Sequence, residues 1–172
     1  AGADPNPDGA LPPYEVPLDA AVTSGSVESV RLLLAAGAVI DSPRHAQDDP
    51  AIGSASSLEM VRLLLDAGAD QNAACGYGKS VAELIARNTH PTVQERVAML
   101  QALVAAGVDL DARTPRTAPL FGAAMNGDAE AVEALLLAGA DPHVEPRAMS
   151  AACFSCFECR HDGMERTIGL LI

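Results

Sequence analysis

The sequence contains no tryptophan, and its phenylalanines and tyrosines amount to 3% of 172 residues. A β-sandwich packs β-branched and aromatic side chains between two sheets, so that scarcity argues against one. Apolar residues nevertheless make up 49% of the chain. The apolar mass is therefore mostly Ala, Leu and Val, which suits closely packed helices, in one domain long enough to bury a sizeable core. Positive charge is also scarce: Lys79 is the only lysine, and 23 acidic residues against 11 basic ones give a net charge of −12. This argues against the broad basic patches that bind a phosphate backbone or an anionic membrane surface, so neither nucleic acid nor membrane is the expected partner. It suits solubility, or a basic protein partner drawn in by charge. No apolar run approaches the length of a membrane span. One lysine beside ten arginines, with abundant Ala and Gly, points to a GC-rich bacterial genome. There is no signal peptide and no initiator Met. The cytoplasm is the first expectation, with the periplasm or secretion open if a leader has been removed. Of four cysteines, three crowd into residues 153–159, which is no disulfide framework.

What is abundant is repetition. AGADPN (1–6), LLLAAGAVID (32–41), LLLDAGADQN (63–72), ALVAAGVDLD (102–111) and LLLAGADPH (135–143) are variants of one phrase. Their glycines, Gly2, Gly37, Gly68, Gly107 and Gly139, are spaced 35, 31, 39 and 32 residues apart. A period near 33 is the signature of a solenoid array. In VESVRLLLAAGA (27–38), Val27, Val30, Leu33 and Leu34 fall on one helical stripe before Gly37 closes the helix. Asp41, Asn72 and Asp111 follow four residues after their glycines, where a short side chain can bond nearby backbone N–H groups and shape a turn. Glu28, Glu59, Asp128 and Glu130 lie near helix starts, where the dipole favours negative charge. The first half of a unit is a shorter helix. In 16–25, Pro17 suits its first turn and Leu18, Ala21 and Val22 form the buried face; Pro119, Leu120, Ala123 and Ala124 repeat the design. Each unit reads as helix, tight turn, helix, glycine and extended finger, and its apolar faces need neighbouring units to cover them.

These units resemble ankyrin repeats, whose pattern runs G-x-T-P-L-H-x-A-A-x-x-G, a Leu-rich helix, then G-A-D-x-N. Segments 16–41 and 118–143 match it well, and the resemblance extends over nearly the whole chain. It implies an all-α solenoid of stacked helix–turn–helix units with finger loops. The expected organisation is one domain over 1–172: a finger of a preceding unit at 1–10, units at about 11–41, 42–72, 73–111 and 112–143, and an incomplete one at 144–172. Asp19, Glu83, Phe121 and Phe157 stand where the pattern has its His. The second unit must use HAQDDPAIGSASS (45–57) as its first helix, and the third carries about seven extra residues near RNTHPTVQER (87–96), expected in a longer helix–helix loop. The chain opens on a finger phrase and closes on ERTIGLLI, as a piece of a longer array would. Exposed Ile168, Leu171 and Ile172 offer a route to dimers; the oligomeric state stays open.

Two stretches invite chemical readings. CFSCFECRH (153–161) holds Cys153, Cys156, Cys159 and His161, which can be arranged as a Cys3His zinc site or a redox Cys-x-x-Cys. Thiols three residues apart on one helix fan out by roughly 60° per step. Aligning Gly163 with Gly127 puts Cys156 and Cys159 on core positions, so the expectation is small buried hydrophobes with no metal and no cofactor. GYGKS (76–80) ends like a phosphate-binding loop, but Ala73 stands where that loop needs its first glycine. No catalytic constellation is assembled, so the expectation is a protein that is not an enzyme.

The resemblance implies binding of another protein through the finger tips and the exposed ends of the first helices, together a concave face. The aligned positions are Thr23 and Ser24, Arg87 and Asn88, Met125 and Asn126, and His161 and Asp162, with Arg113, Thr114, Arg116 and Thr117 on one finger. Phe121 with Met125 would be the apolar anchor, although Phe121 can equally pack inside its own unit. The expected function is a non-catalytic module that docks on and masks a partner protein, with an immunity or inhibitor role against a toxin or enzyme suggested by analogy. The alternatives are a targeting or recruitment arm of a larger enzyme or effector, and a thiol or metal protein using the 153–159 cysteines.

Overall fold

The computed structural model describes residues 5–6, 16–40, 49–73, 75–114 and 117–144. The described residues form seven α-helices and no strand: α1 (Pro17–Thr23), α2 (Val27–Ala35), α3 (Leu58–Asp66), α4 (Val81–Ala86), α5 (Val93–Ala105), α6 (Pro119–Met125) and α7 (Ala129–Ala138). Short 3-10 turns at Ala51–Ser54 and Gly76–Gly78 precede α3 and α4.

Local chemistry sets the helix limits. Proline opens α1 and α6, where its missing N–H costs nothing. Side-chain oxygens cap the others: the N–H groups of Ser29, Met60, Glu83 and Ala131 donate to Ser26, Ser57, Ser80 and Asp128 at 3.0–3.3 Å. At α5 the cap is reciprocal, because Glu95 N–H donates to Thr92 Oγ1 at 3.3 Å while Thr92 N–H donates to the Glu95 carboxylate at 2.9 Å. Gly37, Gly68, Gly107 and Gly139 adopt φ of 90°, 93°, 97° and 107°, left-handed values that release the chain from the helix into the finger.

The helices form two layers. In one, α1, the Ala51–Ser54 turn, α4 and α6 pack side by side in that order; in the other, α2, α3, α5 and α7 do the same. Each first helix also packs on its own second helix. The core between the layers contains Leu18, Val22, Ile52, Met60, Leu64, Ile85, Met99, Leu100, Leu103 and Leu135. Ala82, Ala86, Ala123 and Ala124 are fully buried, and their small side chains let α4 and α6 approach closely.

Irregular units differ from expectation in specific ways. Among the described residues of the second unit's first-helix segment, 49–57, the helical part is the Ala51–Ser54 turn, with Pro50 just before it, and residues 45–48 lie outside the described residues. In the third unit only part of the extra length lies in the loop. The connection 87–92 is longer than the tight turns elsewhere, and α5 itself runs to 13 residues where α2 and α3 have 9. That added turn of helix carries Arg96, which is 1% exposed. Its Nη1 donates to the Ala86 carbonyl at 2.8 Å and its Nη2 pairs with Glu130, so one arginine joins α4, α5 and α7.

The fingers are also tied to one another. Asn6 donates to the Gly37 carbonyl at 2.8 Å and accepts from Val39 N–H at 2.7 Å. Gln71 donates to the Ala106 carbonyl at 3.0 Å, and Asp111 accepts from Asp141 N–H at 2.9 Å. The acids that shape the local turns are Asp70, Asp109 and Asp141, accepting from Asn72, Asp111 and His143 N–H. They lie two residues after the glycine, not four; Asp111, at the fourth position, reaches the next finger instead. Asp41 lies outside the described residues.

Substitutions at the α5 cap and around the buried arginine test this architecture. Thr92→Ala removes the cap of α5 and is expected to lower stability by about 1 kcal/mol in denaturant unfolding. The Glu95 carboxylate is held below its ordinary value by the bonds it accepts from Thr92 N–H and, second, from Thr92 Oγ1, of which Thr92→Ala removes the Oγ1 bond. The stabilisation they give is present above about pH 4.5, the ordinary value, and disappears as pH falls through the lowered one, so the gap between Thr92→Ala and wild type should shrink in acid. Glu130→Ala leaves the buried Arg96 guanidinium without its carboxylate. Breaking a fully buried pair costs about 3–5 kcal/mol, and the exposed side of Glu130 brings the expected loss down to roughly 1–2 kcal/mol. Arg96→Met, which removes the buried charge while keeping its bulk, should be milder than Arg96→Ala in the same assay.

Candidate protein-binding face

Two adjoining clefts open along the row of first helices and fingers. One, of about 220 Å³, lies between α4 and α6 and is lined by Lys79, Glu83, Arg87, Thr117, Gly122, Met125 and Asn126. Its architecture rests on a close approach. The Glu83 carboxylate lies against Gly122, where an added Cβ would stand 2.9 Å from its oxygen and displace the carboxylate. Glu83 is 5% exposed and accepts from Arg87 Nη1 at 3.4 Å. Met125 rises at the end of α6, 49% exposed, and Asn126 beside it donates to the Gly122 carbonyl at 2.6 Å.

The second cleft, of about 310 Å³, lies between the fingers, with Val81, Ala82, Val108 and Ala112 giving it an apolar lining and Lys79, Asp109 and Arg113 a charged one. On the finger, Thr114 Oγ1 donates to the Thr117 carbonyl at 2.8 Å and accepts from Thr117 N–H at 3.1 Å, closing a small loop.

The positions expected from sequence therefore divide. Arg87, Thr117, Met125 and Asn126 line the α4–α6 cleft, and Arg113 and Thr114 line the finger cleft. Phe121 is half-buried on α6. Thr23 and Ser24 are exposed at the end of α1, but line neither cleft. Asn88 is engaged by the scaffold: its amide donates to the Ala55 carbonyl at 3.0 Å, tying the loop after α4 to the preceding unit. Arg116, His161 and Asp162 lie outside the described residues, as do Cys153, Cys156, Cys159 and Phe157.

Two features escaped the sequence reading. Lys79 lines both clefts and Glu83 one of them, although Lys79 stands at the variable position of the repeat's G-x-T opening and Glu83 in place of its His. Tyr77 is 69% exposed with φ of 59°, a left-handed value that a side chain adopts at a cost. Asp49 accepts from Gly76 N–H at 2.9 Å and braces that turn. In GYGKS itself, Gly76–Gly78 form a 3-10 turn and Ser80 caps α4, so the stretch serves as the entry to a helix.

Cys75 sits beneath this turn, buried. Burial pushes its thiol up to about 12, and the nearby carboxylates of Asp49 and Glu83 add to the effect. In a variant with Cys153, Cys156 and Cys159 changed to Ser, the remaining thiol should resist an aromatic disulfide reagent at pH 8 and react at once in denaturant. The folded state keeps the neutral thiol, so its contribution is complete below about pH 9, the ordinary value. Above that pH the unfolded thiol ionises and stability falls with rising pH. Rapid reaction in the native state would contradict the burial.

Among the described residues no group of three or more His, Cys, Asp or Glu is arranged to hold a metal ion, and no helix is long and apolar enough to cross a membrane. Comparison with curated proteins gives no match. A model of the ankyrin repeat family matches residues 118–145, the stretch that contains α6, α7, Gly139 and the start of the following finger. The paired helices in two layers, the glycine-terminated second helices and the hydrogen-bonded fingers that precede this match have the all-helical architecture of an ankyrin-repeat solenoid, and residues 118–145 are an ankyrin repeat within it.

Proposed function

We propose that this protein binds one partner protein across the face formed by its first helices and fingers, and masks the surface it covers. The observation that carries the proposal is the α4–α6 cleft, in which the exposed thioether of Met125 stands beside a buried carboxylate and two cations. An apolar anchor next to charged groups in a concave setting is the composition of an interface centre. The scaffold behind it is braced by Arg96 and the finger hydrogen bonds, so little ordering is required on binding. We take the whole chain, 1–172, as a single array, with the unit limits read from the sequence. The net charge of −12 suits a partner whose surface is predominantly basic. An inhibitor or immunity protein that blocks a toxin or enzyme is the form of masking we favour.

The test is affinity capture from lysate of the source cell, with wild type, a Phe121→Ala, Met125→Ala, Arg87→Glu variant, and an Arg62→Glu control on the second-helix layer. One partner held by wild type and by Arg62→Glu, and weakened by about tenfold or more in the triple variant, is the expected result. Equal capture by all three would place the interface elsewhere.

A further inference from the structure

The two clefts share one residue. Lys79 lines both the finger cleft and the α4–α6 cleft, and it is the only lysine in the chain. It is half-buried, and its ammonium makes no hydrogen bond or ion pair among the described residues. Arg87 lines one cleft beside it and Arg113 the other. Three cations thus border the depression formed by these two adjoining clefts, on a chain that has 23 acidic residues and 11 basic ones.

The charge balance of the depression decides what it can accept. Its carboxylates are Glu83 and Asp109. Both are engaged by the fold: Glu83 accepts from Arg87 at 3.4 Å, and Asp109 accepts from Asp111 N–H at 2.9 Å. A cationic side chain entering here would add a fourth positive charge to three. A neutral one would strip water from Lys79 and give it no counter-charge. A carboxylate entering beside Lys79 balances the count and gains a charge-assisted hydrogen bond. The finger cleft, with Val81, Ala82, Val108 and Ala112, is suited to an aliphatic side chain. In an extended segment, residues i and i+2 point to the same side about 7 Å apart, so that one strand can present both side chains to one face.

We infer that, on the binding face proposed above, the paired clefts receive an extended segment of the partner in which an acidic side chain seats at Lys79 and an aliphatic one, two residues away, enters the finger cleft. The surrounding acidity then acts as a filter. It repels uniformly acidic proteins and admits a single carboxylate carried by a basic or neutral surface.

The experiment is selection of random dodecapeptides displayed on phage against the purified full chain, followed by titration of the synthesised winner. The expected winners carry Asp or Glu two positions from Leu, Ile or Val. Replacing that acid by its amide should weaken binding about tenfold, and Lys79→Glu should do the same to the wild-type peptide, whereas Lys79→Arg and Arg62→Glu retain it. Thermal melts of each variant confirm that it folds. Winners without an acid, no winners at all, or equal binding by Lys79→Glu overturn the inference. Displacement of the winner by a twelve-residue single-stranded oligonucleotide that binds more tightly would also overturn it, by assigning the cations to phosphate. Neutral or basic winners that are lost on Met125→Ala would remove the inference and leave the binding face standing. Winners indifferent to both Lys79→Glu and Met125→Ala would remove both.

Discussion

A pair of short helices cannot cover its own apolar surface, and that constraint governs the molecule. The first helices α1, α4 and α6 have only six or seven residues, well below the length at which an isolated helix holds in water. They persist because each lies against its neighbours in the row and against the second helix of its own unit. Alanines at the contacts let the backbones come close, and leucines of the second helices fill the space between the layers. Stability in such a stack is a sum of intrinsic and neighbour terms. The polar ties follow the same logic. Asn6, Gln71, Asn88, Arg96 and Asp111 each form a hydrogen bond to a neighbouring unit or helix. The exposed Arg31–Glu59 pair between α2 and α3 adds little by comparison.

Much of this plan can be read directly from the residues. Glycine at a period near 33 marks the helix ends, because the chain must turn left-handed there. The stripes of Leu18, Ala21 and Val22, and of Leu120, Ala123 and Ala124, show their buried faces through their spacing, and these residues are buried. What the pattern conceals is any role that depends on a partner in another unit. Asn88 looks like an exposed loop residue until the Ala55 carbonyl is seen next to it. Arg96 looks like one more charged residue on a helix; its burial depends on the extra turn of α5 and on Glu130 two helices away. The second unit illustrates a different limit: 45–57 has to fill a first-helix place, but how much of it becomes helix depends on the packing of Ala51, Ile52 and Gly53, where Gly53 closely approaches Leu84.

The proposed binding face shows the same division. Met125 and Arg87 occupy positions that the repeat marks as outward-facing, and both line a cleft. Its lining includes the Glu83–Gly122 contact, a pairing of residues 39 positions apart that no local pattern reveals. A repeat pattern specifies a scaffold and the direction each side chain faces, whereas the chemistry of its grooves is set by substitutions in that pattern. Here Glu83 replaces a histidine of the repeat, Lys79 precedes it by four residues, and together they turn a generic groove into a charged one.

Amide hydrogen exchange on the chain alone and saturated with its captured partner tests the central claim most directly, because it reports on every segment without mutation. The account predicts slowed exchange over 76–88 and 117–127, with α2, α3 and α7 unchanged. Protection confined to those second helices, with the α4–α6 cleft still exchanging as in the free chain, would contradict it.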